Sequence, residues 1–173
     1  VTVEVWARSD LSGSEYTDNG FIICRNMTRP GIFATFLSDD SDKISFQVRL
    51  EGSEETYQKV ETNTLLDTTW HHYVGTYDGS TVKIYMDGVL QSDTLDVSGV
   101  MDTDNPGVLT IGDHPFTGYN FDGIIDEVRV SSFARNASWI KTSFANQNDP
   151  SGFYNISSEH CSSNVPMVSN EVP

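Results

Sequence analysis

The sequence predicts an all-β protein, an antiparallel sandwich or barrel, and three observations support this fold class. About ten short runs alternate apolar and polar residues with period two, as strands with one buried face do. Turn-forming Asp, Asn, Gly, Ser and Pro residues separate these runs. No repeating strand–helix–strand pattern occurs, so a parallel sheet is not expected.

The strands are short, and most are separated by a tight turn. In chain order the predicted strands are residues 1–9, 20–26, 31–38, 43–50, 56–62, 70–79, 81–88, 89–95, 107–113 and 123–130. Asp87-Gly88 lies between two alternating runs and predicts a hairpin, because both residues can take positive φ.

One segment has helical periodicity instead. The stretch RNASWIKTSFANQ (135–147) spaces Trp139, Ile140 and Phe144 at helical intervals. Asn136 is a suitable N-cap. We therefore predict one short C-terminal helix lying on the sandwich, with Trp139 packing between helix and sheet.

Length, hydropathy and charge limit the function classes. The 173 residues are enough for one domain with a sizeable core. No apolar run of ~18 residues occurs, so membrane insertion is not expected. The net charge of −15 repels phosphate backbones and anionic membranes, which excludes nucleic acid as an expected partner. The same charge suits a divalent cation, a basic partner, or simply solubility.

The chain resembles laminin-G-like jelly rolls of the concanavalin A-like lectin and glucanase fold. TWHHYVGTYDGSTVKIYMDGVL (69–90) is similar to their central hairpin, and FDGIIDEVRVSSFARNASWIKTSFANQNDPSGFYNI (121–156) to their last strand and helix. VTVEVWAR (1–8) resembles an early strand. The resemblance implies a two-sheet jelly-roll domain over residues 1–156, with residues 157–173 as a linker toward a further domain.

The resemblance also sets the functional expectations. It is nearest to modules of large prokaryotic secreted and surface proteins, so we expect an extracellular or cell-surface location. Such modules usually have one or two strands before the strand at residues 1–8, and we expect those first strands to be missing here. The leading function is non-catalytic binding of polysaccharide or glycoprotein glycans in adhesion. Alternatives are a structural module that joins neighbouring chains or surface-protein domains, and a laminarinase-like enzyme.

Two pairs of adjacent residues are of the types that catalysis or metal binding uses. Asp126 and Glu127 are adjacent, and adjacent strand residues point to opposite faces. Retaining glycoside hydrolysis needs both carboxyl groups on one face, about 5 Å apart, so we predict no catalysis. His71 and His72 diverge for the same reason and are predicted to be part of the scaffold.

Asp126 presents a different problem. Strict alternation places it on one face with Ile124, Val128 and Val130, where a bare carboxylate is costly. One solution is a structural Ca²⁺, with Asp122 as a second ligand; in modules of the resembling family a last-strand aspartate often holds such an ion. The other is a hydrogen-bond network or an arginine partner. Both remain open.

The loop DHPFTGYNFDG (113–123) combines aromatic rings with amide and carboxylate groups, as saccharide sites do. The alternative is that its phenylalanines plug the end of the sandwich. The candidate ligand-binding residues are His114, Phe116, Tyr119 and Asn120.

Cys24 and Cys161 belong to no C-x-x-C pair, so two free thiols or one disulfide remain. The extracellular features favour the disulfide. Three sequons place possible N-glycosylation at Asn26, Asn136 and Asn155, and a glycan on Asn136 would compete with the helix cap.

Overall fold

A computed structural model describes residues 1–12, 20–26, 33–38, 41–52, 57–102, 108–114 and 119–153. The strands are β1 (Thr2–Ser9), β2 (Gly20–Asn26), β3 (Phe33–Ser38), β4 (Lys43–Val48), β5 (Gln58–Leu65), β6 (His71–Tyr77), β7 (Thr81–Met86), β8 (Val89–Asp96), β9 (Val108–Ile111) and β10 (Gly123–Ser131). The helices are α1 (Ala137–Asn148) and the one-turn α2 (Pro150–Phe153). All the predicted strands are confirmed, and α2 was not predicted.

The strands form two antiparallel five-stranded sheets in the described part of the chain. Sheet A has the order β10-β1-β6-β7-β8, and sheet B has the order β5-β4-β3-β2-β9. The predicted two-sheet jelly-roll sandwich with a short helix near the C-terminus is confirmed. No helix among the described residues is long and apolar enough to cross a membrane.

The core lies between the inner faces of the two sheets. Val3 and Val5 of β1 face Phe46 and Val60 of sheet B, and all four are fully buried. Gly75 of β6 lies directly against the Phe46 ring, and a methyl group there would overlap the ring. The absence of a side chain at residue 75 therefore lets the sheets approach at this point.

The predicted Asp87-Gly88 hairpin is confirmed. Asp87 has φ 52° and Gly88 has φ 76°, as a two-residue turn with both central residues left-handed requires. The Asp87 carboxylate accepts the His72 backbone N–H at 2.9 Å. Gly88 also lies beneath the helix, where a Cβ atom would be 3.2 Å from the Lys141 Cα.

Helix α1 covers the outer face of sheet A. Asn136 is its N-cap, as predicted, and its side-chain oxygen accepts the Trp139 N–H at 2.9 Å. Ile140 is fully buried against Val74 and Tyr85, and Trp139 packs at the edge of this cluster. The helix therefore turns part of the outer face into a second, smaller core.

A β-bulge in β10 contradicts one prediction. Glu4 pairs with Arg129 and Trp6 pairs with Asp126, so residues 127 and 128 both lie opposite Val5. The bulge reverses the alternation: Val128 packs against the core, whereas Asp126 is exposed on the outer face. The prediction that Asp126 points inward is therefore wrong, and its buried-charge problem does not arise.

Candidate functional site

A groove of about 660 Å³ opens on the outer face of sheet A, beside the C-terminal end of α1. Four separate parts of the chain build it: β1, the residue before β6, the bulge of β10, and the end of α1 with α2. The lining residues are Trp6, Trp70, Asp126, Glu127, Arg129, Asn146, Gln147, Asn148 and Pro150.

Two tryptophans supply the flat apolar surface of the groove. Trp70 is 40% exposed although it is large and apolar. Trp6 is held more firmly, because its ring stacks on Phe144 at 5.8 Å between centroids and its indole N–H donates to the Gln147 side-chain oxygen. One ring is thus fixed by packing and the other is open to a ligand.

The bulge brings both acidic side chains of β10 into the groove. Asp126 and Glu127 line it together, so the prediction that adjacency sends them to opposite faces is wrong here. Glu127 has φ 52°, a left-handed conformation that is unusual for a residue with a Cβ atom. The Asp126 carboxylate accepts the Glu127 N–H at 2.8 Å, which stabilises this turn of the backbone.

Glu4, directly behind the groove, is the buried carboxylate that the sequence did not reveal. Its side chain is 2% exposed. Its Oε1 is bonded by four groups from three elements: His72 Nε2 at 2.9 Å, Arg129 Nη1 at 3.0 Å, Ser143 Oγ at 2.7 Å and Gln147 Nε2 at 3.4 Å. Sheet and helix are therefore joined through one charge.

These contacts determine the ionisation of Glu4. Burial alone would raise the pKa of the Glu4 carboxyl, but the hydrogen bonds from His72 and Ser143 and the nearby Arg129 charge lower it to about 2. Glu4 is consequently ionised throughout the physiological range. Arg129, which also donates to Glu127, connects this buried charge to the groove wall.

The predicted loop site has a different geometry. His114 and Tyr119 pack against Phe21 on the outer face of sheet B, with ring centroids 4.7 Å and 6.4 Å from the Phe21 ring. Burial lowers the pKa of His114, with an opposing contribution from Asp113. His114 and Tyr119 are both partly buried, so these two rings provide less open surface than Trp70.

Asn120 and Phe121, the next two described residues of this loop, have different surroundings. Asn120 is exposed and bridges to Phe21, whereas Phe121 is 7% exposed and belongs to the main core. The structure thus supports the plug alternative for Phe121. Phe116 lies outside the described residues.

The buried-charge argument for a metal ion at Asp126 does not apply, because Asp126 is exposed. Among the described residues no group of three His, Cys, Asp or Glu side chains could hold a metal ion. Asp122 is exposed, and its backbone carbonyl accepts the Asp10 N–H at 2.9 Å. A calcium ion on Asp122 and Asp126 stays a prediction.

The two histidines diverge, as predicted. His72 bonds Glu4 on the outer face, whereas His71 bonds Asp87 at 2.7 Å and Asp67 at 3.1 Å. The Asp87 hydrogen bond raises the pKa of His71, although burial opposes it. Both histidines hold strands and turns together.

Cys24 is buried on the outer face of sheet B, where burial raises the pKa of its thiol to about 12. Its predicted partner Cys161 lies outside the described residues, so the disulfide stays a prediction. Of the three sequon residues, Asn26 ends β2, Asn136 caps α1, and Asn155 lies outside the described residues.

Comparison with known proteins agrees with this fold. A family model described as the concanavalin A-like lectin/glucanases superfamily matches residues 1–141. The predicted resemblance is thereby confirmed. The comparison with curated protein sequences gives no match.

Several solved structures have a similar fold. The CBM40 module of the Ruminococcus gnavus IT-sialidase aligns with a TM-score of 0.63 and 14% identity, covering 83% of this chain and 81% of that one. Domain 4 of AbnA, an extracellular arabinanase of Geobacillus stearothermophilus solved in complex with arabinotriose, gives a TM-score of 0.58 and 17% identity, covering 83% and 65%.

Botulinum neurotoxin type C, whose cell entry depends on interaction with two ganglioside molecules, gives a TM-score of 0.62 and 19% identity. The alignment covers 84% of this chain and 35% of the neurotoxin chain. At these identities the similarity establishes the fold alone.

The Glu4 network leads to a prediction about acid stability. Because the folded-state pKa is depressed, the stabilisation is fully present above the unfolded value near 4.5 and is lost as pH falls from there through about 2. Glu4→Gln should lower the free energy of unfolding at pH 7 by roughly 1–3 kcal/mol, because the buried donors His72 and Ser143 then face a neutral amide in place of a carboxylate. Urea unfolding between pH 2 and 7 measures both effects.

Ser143→Ala is the milder variant if Glu4→Gln does not fold, and Glu51→Gln, an exposed turn residue, is the charge-matched control. Other carboxyl groups with a lowered pKa, such as those of Asp67 and Asp87, also contribute to the loss of stability in acid. The assignment is therefore wrong only if Glu4→Gln shows the full wild-type loss between pH 4.5 and 2.

The left-handed Glu127 leads to a second prediction. Glu127→Gly and Glu127→Ala remove the same carboxylate, but only glycine adopts φ 52° without steric cost. The glycine variant should therefore be the more stable by about 1 kcal/mol in thermal or urea unfolding.

Asp126 is the matched control position, because its φ is not positive. There alanine should be at least as stable as glycine. Equal stability of the two variants at residue 127 would show that the backbone is not strained.

Proposed function

The chain belongs to the concanavalin A-like lectin/glucanase superfamily, and on that premise we propose that it is a non-catalytic glycan-binding module whose ligand lies in the groove beside α1. The similar folds include a carbohydrate-binding module and an arabinanase domain solved with arabinotriose, which supports a saccharide ligand. The groove residues carry the rest of the argument.

One observation supports this site above all. The groove joins the exposed ring of Trp70 to the carboxylates of Asp126 and Glu127 and the amides of Asn146 and Asn148. An aromatic ring provides an apolar surface for the C–H face of a sugar ring. Carboxylate oxygens accept hydrogen bonds from its hydroxyl groups, and side-chain amides both donate to and accept from them. This combination is the one expected of a saccharide site.

Binding without hydrolysis is consistent with the exposed surroundings of the two carboxylates. A glycosidase general acid needs an apolar environment that keeps it protonated near neutral pH. Glu127 is 48% exposed and paired with Arg129, and Asp126 is exposed. Neither environment provides a general acid, so we propose that both carboxylates bind hydroxyl groups rather than catalyse.

We also propose that the module acts outside the cell or on its surface, as part of a larger modular protein. The acidic composition suits a solvated, salt-exposed surface. The similar arabinanase domain comes from an extracellular enzyme.

A substitution series can distinguish the groove from the predicted loop site. Trp70→Ala should weaken binding to the best ligand of a polysaccharide panel at least tenfold, about 1.4 kcal/mol, because it removes the open aromatic surface. The loop variants Tyr119→Ala and Asn120→Ala should bind like the wild type. Affinity electrophoresis or calorimetry measures binding, and the melting temperatures test for folding.

The opposite pattern, in which the loop variants lose binding and Trp70→Ala retains it, would move the site to the 113–123 loop. If no member of the panel binds the intact module, the glycan-binding function fails.

A second candidate function is assembly through the strand edges, and a difference between the two sides of the sandwich supports it. On the β5–β8 side, side chains satisfy edge N–H groups: Asp93 accepts from Glu61 and Gln91 accepts from Asn63. Both sides also expose apolar side chains among the described residues: three on β5 and β8, 43–64% accessible, and five on β9 and β10, 46–52% accessible. The five on β9 and β10 are Val108, Leu109, Ile111, Ile124 and Val130. Exposed apolar edges of this kind invite pairing with another chain.

This candidate makes its own prediction. If the β9–β10 side joins chains, the protein should self-associate in sedimentation velocity, and Leu109→Lys should restore the monomer. Val89→Lys, at a more open apolar position on β8 (64% exposed, against 49% for Leu109), is the control and should not change the association. A wild type that is monomeric at all accessible concentrations rules out association between copies through this side.

A further inference from the structure

We propose that the groove selects uncharged saccharides and rejects sugars that bear a carboxylate. This inference rests on the proposed glycan-binding function and names the ligand class of the same site. It follows from the charges that the β10 bulge places in the groove and from the way in which the groove's cation is already engaged.

The first step is the acidic wall. Without the bulge, one of Asp126 and Glu127 would point to the core side of sheet A. With it, both carboxylates lie on the groove side and both are exposed. A ligand in contact with Trp70 and β10 therefore meets two negative charges at once. Hydroxyl groups donate well to such oxygens, whereas a ligand carboxylate is repelled by them.

The second step is the cation. Among the described residues that line the groove, Arg129 is the one with a positive charge. A guanidinium binds a carboxylate most strongly when two of its N–H groups donate to it together. Here Nη1 donates to buried Glu4 at 3.0 Å, and Nη2 donates to Glu127. The charge of Arg129 is thus already balanced by two carboxylates, so an anionic sugar gains less from it than from an unpaired guanidinium.

The third step is the charge of the whole chain. The acidic wall of the groove and the chain as a whole are both negatively charged, because the chain carries a net charge of −15. The long-range field therefore lowers the local concentration of anions and slows their association. This field exerts no net force on neutral saccharides. It therefore disfavours anionic ligands without weakening the binding of neutral ones.

The experiment compares pairs of related glycans in which one member is neutral and the other carries carboxylate groups. Immobilised panels supply such pairs: galactose against galacturonic acid oligomers, and lactose against sialyllactose. For every pair with a bound member, the neutral glycan should bind at least tenfold more tightly than its acidic counterpart. The ratio should shrink as NaCl is raised from 20 to 500 mM, because salt screens the repulsion.

Variants assign the selectivity to the bulge. Asp126→Asn combined with Glu127→Gln keeps the shape of the wall and removes its charge, so the acidic glycan should bind within about threefold of the neutral one. Glu51→Gln removes one charge from an exposed turn outside the groove and should keep the wild-type ratio.

The outcomes separate the two hypotheses. Acidic glycans that bind as tightly as their neutral partners, or more tightly, overturn the selectivity and leave glycan binding in place. Selectivity that the double variant retains also overturns the assignment to the bulge. A panel without any bound glycan overturns the proposed function itself, and the selectivity with it.

Discussion

The buried carboxylate of Glu4 is the interaction on which the outer half of this structure depends. It lies between sheet A and α1, where an uncompensated charge would cost several kcal/mol. The donors that compensate it come from β6, β10 and α1, so the charge is stable only when all three elements are in place. Buried polar networks of this kind favour one arrangement over its alternatives.

That network fixes the positions of several side chains that line the groove. Arg129 and Gln147 each bond Glu4 and also line the groove, and Gln147 holds the Trp6 indole. Three lining side chains are thus positioned from behind by contacts that a ligand does not need to make. Recognition costs less conformational entropy when the binding residues are ordered beforehand.

Much of the fold was predictable because it depends on local rules. Period-two alternation located the strands, and Asp87-Gly88 predicted its hairpin, since few residue pairs tolerate two left-handed conformations. The cap at Asn136 was predictable for a similar reason, because its side chain satisfies an N–H group within its own turn. In each case the determining interaction lies within a few residues along the chain.

The site was not predictable, because its interactions lie far apart along the chain. Glu4 and Trp6 alternate with Val3 and Val5 along β1 and so lie on its outer face, and only the docking of α1 turns that face into an interior. The bulge gives no sequence signal either, since no Gly or Pro marks residues 126–128. The one hint was an isolated carboxylate pair within an apolar strand, and strict alternation assigned its faces wrongly.

The bulge itself connects core packing to the proposed selectivity. Ile125 and Val128 both pack against the core, three residues apart, and a regular strand cannot place both there. Burial of these two side chains therefore forces the intervening Asp126 and Glu127 outward, even though Glu127 must adopt a left-handed backbone. Strained residues persist where the surrounding structure over-determines them. The acidic wall is accordingly a property of the folded core and exists before any ligand arrives.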